Sequence, residues 1–125
     1  MATIQFDREE VLQAIDAVVR QTMNMDMPWD WPCGVAYYGV SEAYEKTGKE
    51  EYLKLLKDRV DELIDLGLPK VWTVNACAMG HCLITLYEAT GEQRYWDILM
   101  SKVDYIRNDA LRFADHVLQH TVTAS

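Results

Sequence analysis

Little in this 125-residue sequence could staple, anchor or disorder the chain. The three cysteines, Cys33, Cys77 and Cys82, are odd in number and set among apolar residues, which excludes a disulfide framework and suits reduced core thiols in a cytoplasmic protein. Three prolines and six glycines are too few for a low-complexity or fibrous chain. Only 12 Lys and Arg stand against 20 Asp and Glu, a formal charge of -8, so the clustered cations that grip phosphates are missing. A nucleic acid or an anionic membrane surface is therefore not an expected partner. No run nears the roughly 18 apolar residues of a membrane span. The first residues, Met1 to Asp7, lack the basic and apolar blocks of an export signal. Also absent are a Gly-rich phosphate loop, a nucleophile elbow and an H-E-x-x-H metal motif.

What the chain does have is helical periodicity from end to end. It reads as one all-α domain, 1–125, with a leading helix over 7–22, helical pairs over 32–66 and 74–108, and a C-terminal segment, 109–125. Asp7 is the N-cap of the leading helix, with Glu10 three residues on in capping-box fashion, and Val11, Leu12, Ile15, Val18, Val19 and Thr22 make its buried stripe. The helix from Pro32 to Thr47 is apolar almost all round in its first half, through Val35, Ala36, Tyr37, Tyr38 and Val40, and so predicts burial on several sides. Gly48 ends it, and an amphipathic helix follows at once.

The plan then repeats with a period of 43 residues. Trp29 maps to Trp72, Tyr44 to Tyr87, Glu45 to Glu88, Thr47 to Thr90, Gly48 to Gly91, Tyr52 to Tyr95, Leu56 to Leu99, Val60 to Val103 and Asp61 to Asp104. A Tyr-Glu-x-Thr-Gly-x-x-x-Tyr run at the same place in both pairs marks antiparallel helical hairpins, an apolar inner helix alternating with an amphipathic outer one. Beyond Asn108 the pattern changes. Residues 110–122 either continue as helix to His120 or form two short strands turning at Ala114-Asp115, and the weak alternation of Val117, Gln119 and Thr121 against Leu118, His120 and Val122 favours a β-hairpin.

Because the repeat superposes Trp29 on Trp72, the loops before the two inner helices are expected side by side at one rim. That rim collects Trp29, Asp30, Trp31, Trp72, Thr73 and Asn75. Aromatic faces beside carboxylate and amide groups suit sugar rings, whose C–H faces stack while hydroxyls pair with polar side chains. Equally, the tryptophans could simply plug one end of a helical core. Cys77 and His81, four apart on one helix with Cys33 nearby, could in principle hold a metal, but the second half of a zinc motif is missing and core packing is the expected role. The acids available for proton transfer at the rim are Asp26 and Asp30. Glu50, Glu51, Asp58 and Glu62 alternate with Lys and Arg and read as a solvated face.

The Trp29-Asp30-Trp31-Pro32-Cys33-Gly34-Val35 run, the twin Tyr-Glu-x-Thr-Gly helix ends, Thr73 to His81, Arg112-Phe113 and Leu118 to Thr121 together resemble the N-terminal part of glycoside hydrolase families 88 and 105. The similarity covers nearly the whole chain. It implies a partial (α/α)6 toroid of about five helices and an unsaturated uronic-acid oligosaccharide, the product of a polysaccharide lyase, as partner. It also implies hydration without metal or cofactor: an aspartic acid protonates C4, water adds at C5, and the hemiketal collapses to release the aglycone. Carried over by position, Trp29 and Trp31 match the family's aromatic pair and His120 a histidine near the substrate. Asn75 stands where many members carry an aspartate, and asparagine cannot exchange a proton.

The chain stops before the segment in which the family's principal acid would be expected, so no catalytic residue can be named and no activity is expected of it alone. The uncovered inner helices predict self-association through the toroid's open faces. A small partner-binding protein and a non-catalytic sugar-binding module are the alternative expectations.

Overall fold

The computed structural model describes residues 4–120. Five α-helices dominate: α1 (Arg8–Asn24), α2 (Trp31–Thr47), α3 (Glu50–Leu66), α4 (Gly80–Thr90) and α5 (Gln93–Asn108). A 3-10 turn, Ala76–Met79, leads into α4, and two short antiparallel strands, β1 (Arg112–Ala114) and β2 (Val117–Leu118), follow α5. α2 packs on α3, α4 on α5, and the two inner helices α2 and α4 on each other, with α1 laid against α2 and α3. The shared core contains Cys33, Tyr37, Leu56, Met79, Leu83 and Tyr95, all fully buried.

The repeated Thr-Gly motif acts identically in both hairpins. Thr47 Oγ1 donates to Ala43 O at 2.6 Å and accepts from Lys49 N at 3.2 Å, while Thr90 Oγ1 donates to Leu86 O at 2.7 Å and accepts from Glu92 N at 3.2 Å. Gly48 (φ 69°) and Gly91 (φ 70°) take the left-handed conformation, each amide bonding the Tyr four residues back at 2.8 Å. One hydroxyl thus ends one helix and starts the next, and glycine makes the reversal without a Cβ penalty.

Several expectations need correction. Asp7 caps α1 through Glu9 N at 2.9 Å, and among the described residues Glu10 makes no return bond, so the capping box is half built. The helix runs two residues beyond Thr22. Its stripe is only partly buried: Val19 is buried and Leu12, Ile15 and Thr22 half-buried, but Val11 and Val18 are 41% and 65% exposed, because among the described residues nothing covers the outer side of the α1–α2 groove. Val35 and Tyr38 of α2 are exposed on a different face, outside that groove, with Tyr38 stacked on His81 of α4. The second pair does not begin as an α-helix near residue 74. A Cβ on Gly34 would stand 2.6 Å from Ala78 backbone and side-chain carbons, so α2 touches this segment at its closest, where the narrower 3-10 turn lies. The hairpin turns one residue later than expected, at Asp115-His116, with Arg112 opposite Leu118 and Ala114 opposite Val117. Thr121 and Val122 lie outside the described residues.

Candidate functional site

The site is built where the two repeats meet. Asp30 is extended and its carboxylate accepts from Trp31 N at 2.8 Å, fixing the start of α2, with Pro32 in the first turn. That cap places Trp29 just outside the helix, where it is 92% buried, and its repeat mate Trp72 packs against it with ring centroids 5.7 Å apart at 48°. Trp72 is fixed in turn by a 3.2 Å bond from Nε1 to Pro69 O, and Lys102 Nζ sits 5.2 Å from its ring centre. Trp29 Nε1 is buried and has no partner among the described residues.

In front of this pair lies a cavity of about 240 Å³ lined by Trp29, Asp30, Pro69, Val71, Thr73, Asn75, Ala76 and His120. His120 reaches it from the end of the C-terminal hairpin, and its Nε2 lies 3.1 Å from Asn75 Oδ1 across 45 residues of sequence. With Nε2–H donating to that oxygen, the amide N–H groups of Asn75 and the acceptor Nδ1 of the ring remain for a ligand. The wall therefore offers one buried aromatic, one carboxylate, one amide and one imidazole within a single small concavity.

Four of the six residues singled out from sequence, Trp29, Asp30, Asn75 and His120, share this cavity. The other two do not reach it. Trp72 is the backing of Trp29, buried to 4% exposure, and Trp31, 52% exposed, starts α2 outside the lining. Asp26 is engaged elsewhere, accepting from Arg59 Nη2 at 2.9 Å. Arg59 is a residue that sequence reasoning missed: mostly buried on α3, it donates to Tyr37 OH at 3.3 Å and Glu62 at 2.7 Å and so ties the loop before Trp29 to both helices of the first hairpin. Only its position on the inward side of an amphipathic helix could have flagged it. Pro69 and Val71 were missed because they belong to an aperiodic connection.

The cysteine and histidine cluster does not assemble. Cys77 Sγ donates to Thr73 O at 3.2 Å, burial raises the pKa of all three thiols, and His81 is an exposed ring stacked 5.2 Å from Tyr38, not a core histidine. Among the described residues no three His, Cys, Asp or Glu gather as metal ligands. Nor is any described helix long and apolar enough to cross a membrane.

The comparisons with known proteins bear on this geometry. The profile of Glycosyl Hydrolase Family 88 matches residues 4–125. The unsaturated rhamnogalacturonyl hydrolase YesR of Bacillus subtilis (strain 168) is 46% identical over 125 residues, all of this chain and 36% of that protein. A crystal structure described as a possible member of the GH105 family, from Klebsiella pneumoniae subsp. pneumoniae MGH 78578, superposes with a TM-score of 0.82 at 22% identity, covering 99% of this chain and 38% of that one. The likeness in structure shows a shared fold. The chain spans little more than a third of either relative's length.

Proposed function

Starting from the fact that the chain belongs to glycosyl hydrolase family 88, we propose that it forms the first part of a site for unsaturated uronyl oligosaccharides, of the kind that YesR's name describes. The convergence of Trp29, Asp30, Asn75 and His120 on one cavity carries this reading. An anionic sugar has a carboxylate that accepts, hydroxyls that donate and accept, and an apolar C–H face. Asn75 N–H groups suit the carboxylate, Asp30 suits a hydroxyl and repels a second anion, and Trp29 suits the face. The chain's own groups bind and orient. Asn75 cannot donate a proton to carbon, and one oxygen of Asp30 caps α2 while the other suits a hydroxyl, so neither is assigned the protonation at C4.

Titration of the 125-residue chain with an unsaturated digalacturonide, read by tryptophan fluorescence, tests this. Quenching that saturates, with affinity reduced about tenfold in Asn75→Ala, is the expected result. No binding by the unaltered protein would overturn the reading.

The apolar groove along α1 and α2, about 500 Å³ and lined by Val11, Ile15, Val18, Ala36, Val40 and Ala43 among others, favours a second reading beside the first. Two copies related by a two-fold axis would cover this groove mutually. A native mass that stays monomeric up to high concentration would remove it.

A further inference from the structure

We infer that His120 is a positioning residue: it holds the Asn75 amide with its N–H groups toward the cavity and thereby makes the site select a carboxylate over its neutral ester. The inference rests on the saccharide reading above and begins from the charges in the cavity wall. Among the described residues Asp30 is the one carboxylate in the lining, it has the sign of the ligand, and no Lys or Arg offsets it. Trp29 Nε1 is sealed in the core, and the Thr73 hydroxyl gives or takes a hydrogen bond equally. Preference for an anion therefore falls to Asn75, and an amide is donor or acceptor according to the end it turns outward.

His120 decides which end that is. Its Nε2 lies 3.1 Å from Asn75 Oδ1. Two acceptors at that distance would repel, so the ring carries its proton on Nε2 and donates it. With Oδ1 occupied, Nδ2 has no partner among the described residues and is not a sealed atom, so its hydrogens are open to a ligand. The Asn75 backbone carbonyl accepts from Ala78 N at 3.2 Å, which fixes the turn and leaves the side chain free to rotate. Turned over, the amide would donate to Nε2 and set its own oxygen in the cavity with the Asp30 carboxylate, two acceptors facing an anion.

The ring reaches Asn75 from a rooted hairpin. Arg112 of β1 donates from Nη2 to Ile106 O at 2.7 Å and from Nη1 to Ala110 O at 3.0 Å, taking up carbonyls at the end of α5. Gln119 N, one residue before His120, donates to Leu111 O at 2.8 Å. The end of α5 thus sets where His120 stands, 45 residues along the chain from the amide it holds.

The test uses the whole 125-residue chain. A long-range nitrogen–proton NMR spectrum of the imidazole shows which ring nitrogen carries the proton. Nε2 is expected, with the Asn75 side-chain amide resonances moved in His120→Ala. Tryptophan fluorescence then compares an unsaturated digalacturonide with the same disaccharide methyl-esterified on its unsaturated ring. The unaltered chain should bind the acid about tenfold tighter, because a hydrogen bond to a charged acceptor is roughly twice as strong as one to a neutral acceptor. His120→Ala should reduce that ratio to about two by weakening the acid alone. His120→Gln should restore it, since glutamine can donate where Nε2–H does but offers nothing in place of Nδ1. A proton on Nδ1, equal losses of acid and ester in His120→Ala, or no rescue in His120→Gln would overturn the proposal. Binding of neither compound by the unaltered chain would overturn the saccharide reading and the selectivity with it, while the ring proton and the Asn75 resonances still decide whether His120 holds Asn75.

Discussion

The two hairpins are one repeat under two conditions of cover. Leu56, Val60 and Leu63 of α3 are buried to 7% exposure or less, while Leu99, Val103 and Ile106 at the same repeat positions on α5 are all partly or largely exposed. On the inner helices Ser41 of α2 is 2% exposed and its counterpart Ile84 of α4 is 44% exposed. Here the apolar residue is the wet one. Burial therefore belongs to the neighbour and not to the repeat position: α3 lies between α1 and α5, and α5 has a packed partner on one side.

The largest effect should separate the members of one equivalent pair. Leu56→Ala removes a fully enclosed side chain and leaves a cavity, at a cost of about 3 kcal/mol. Leu99→Ala, half-buried at an open edge, should cost about 1 kcal/mol because water and neighbours can fill the gap. Urea midpoints of the two variants make the comparison directly, and equal losses would mean that α5 is covered as fully as α3.

A second contrast, between two glycines, tests how closely α2 meets the second hairpin. Gly34→Ala drives a Cβ to 2.6 Å from Ala78 carbons, including its carbonyl carbon, where no rotamer change gives relief, and should destabilise by about 2 kcal/mol. Gly80→Ala meets only Leu99 Cδ2, at 3.8 Å, an ordinary contact, and at a right-handed helical φ and ψ should gain about 0.5 kcal/mol. The Gly34 variant should also weaken saccharide binding, since the 3-10 turn it displaces adjoins Asn75.

How much of this was legible in the sequence follows from the same comparison. Elements set by local chemistry could be read: the cap at Asp7, the start of α2 at Pro32, the Thr-Gly reversals and the Trp29–Trp72 pairing all follow from side chains acting on their own turn or from the 43-residue spacing. What depended on a distant partner could not. The stripe of α1 looked like core because periodicity reports an apolar face without saying what covers it. The 3-10 start of the second hairpin is where α2 makes its closest approach at Gly34, and Trp31 looked equivalent to Trp29 although the Asp30 cap turns the chain between them. At the site, Asn75 and His120 could be named from resemblance, but their 3.1 Å contact depends on a hairpin whose turn position was not encoded by any Gly or Asn.

The smallest expected effects concern the two junctions between outer helices, where Tyr52 OH donates to Asp16 at 2.9 Å and Tyr95 OH to Asp61 at 2.6 Å. Hydrogen bonds from Arg20 and Tyr52 hold the Asp16 carboxyl below the ordinary carboxylate range. At Asp61 burial acts to raise the pKa, but bonds from Lys57 and Tyr95 outweigh it and the net shift is again downward. A carboxyl depressed in the folded state stabilises the protein fully above its unfolded value, about pH 4, and that stability is lost as pH falls through the folded value. The thermal midpoint should thus drop on acidification below about pH 4. Asp61→Asn, which keeps an acceptor for Tyr95 but removes the charge that Lys57 meets at 2.7 Å, should flatten the drop. Asp16→Asn should flatten it less, because Asp16 and Arg20 are the more exposed pair and screening takes more of their attraction. Asp104→Asn serves as the control at neutral pH, where it should leave the midpoint unmoved, having no partner to lose. If Asp16→Asn instead flattened the acid limb more than Asp61→Asn, the first junction would be the tighter of the two. The covered hairpin would then be held chiefly by α1, not by the repeat that follows it.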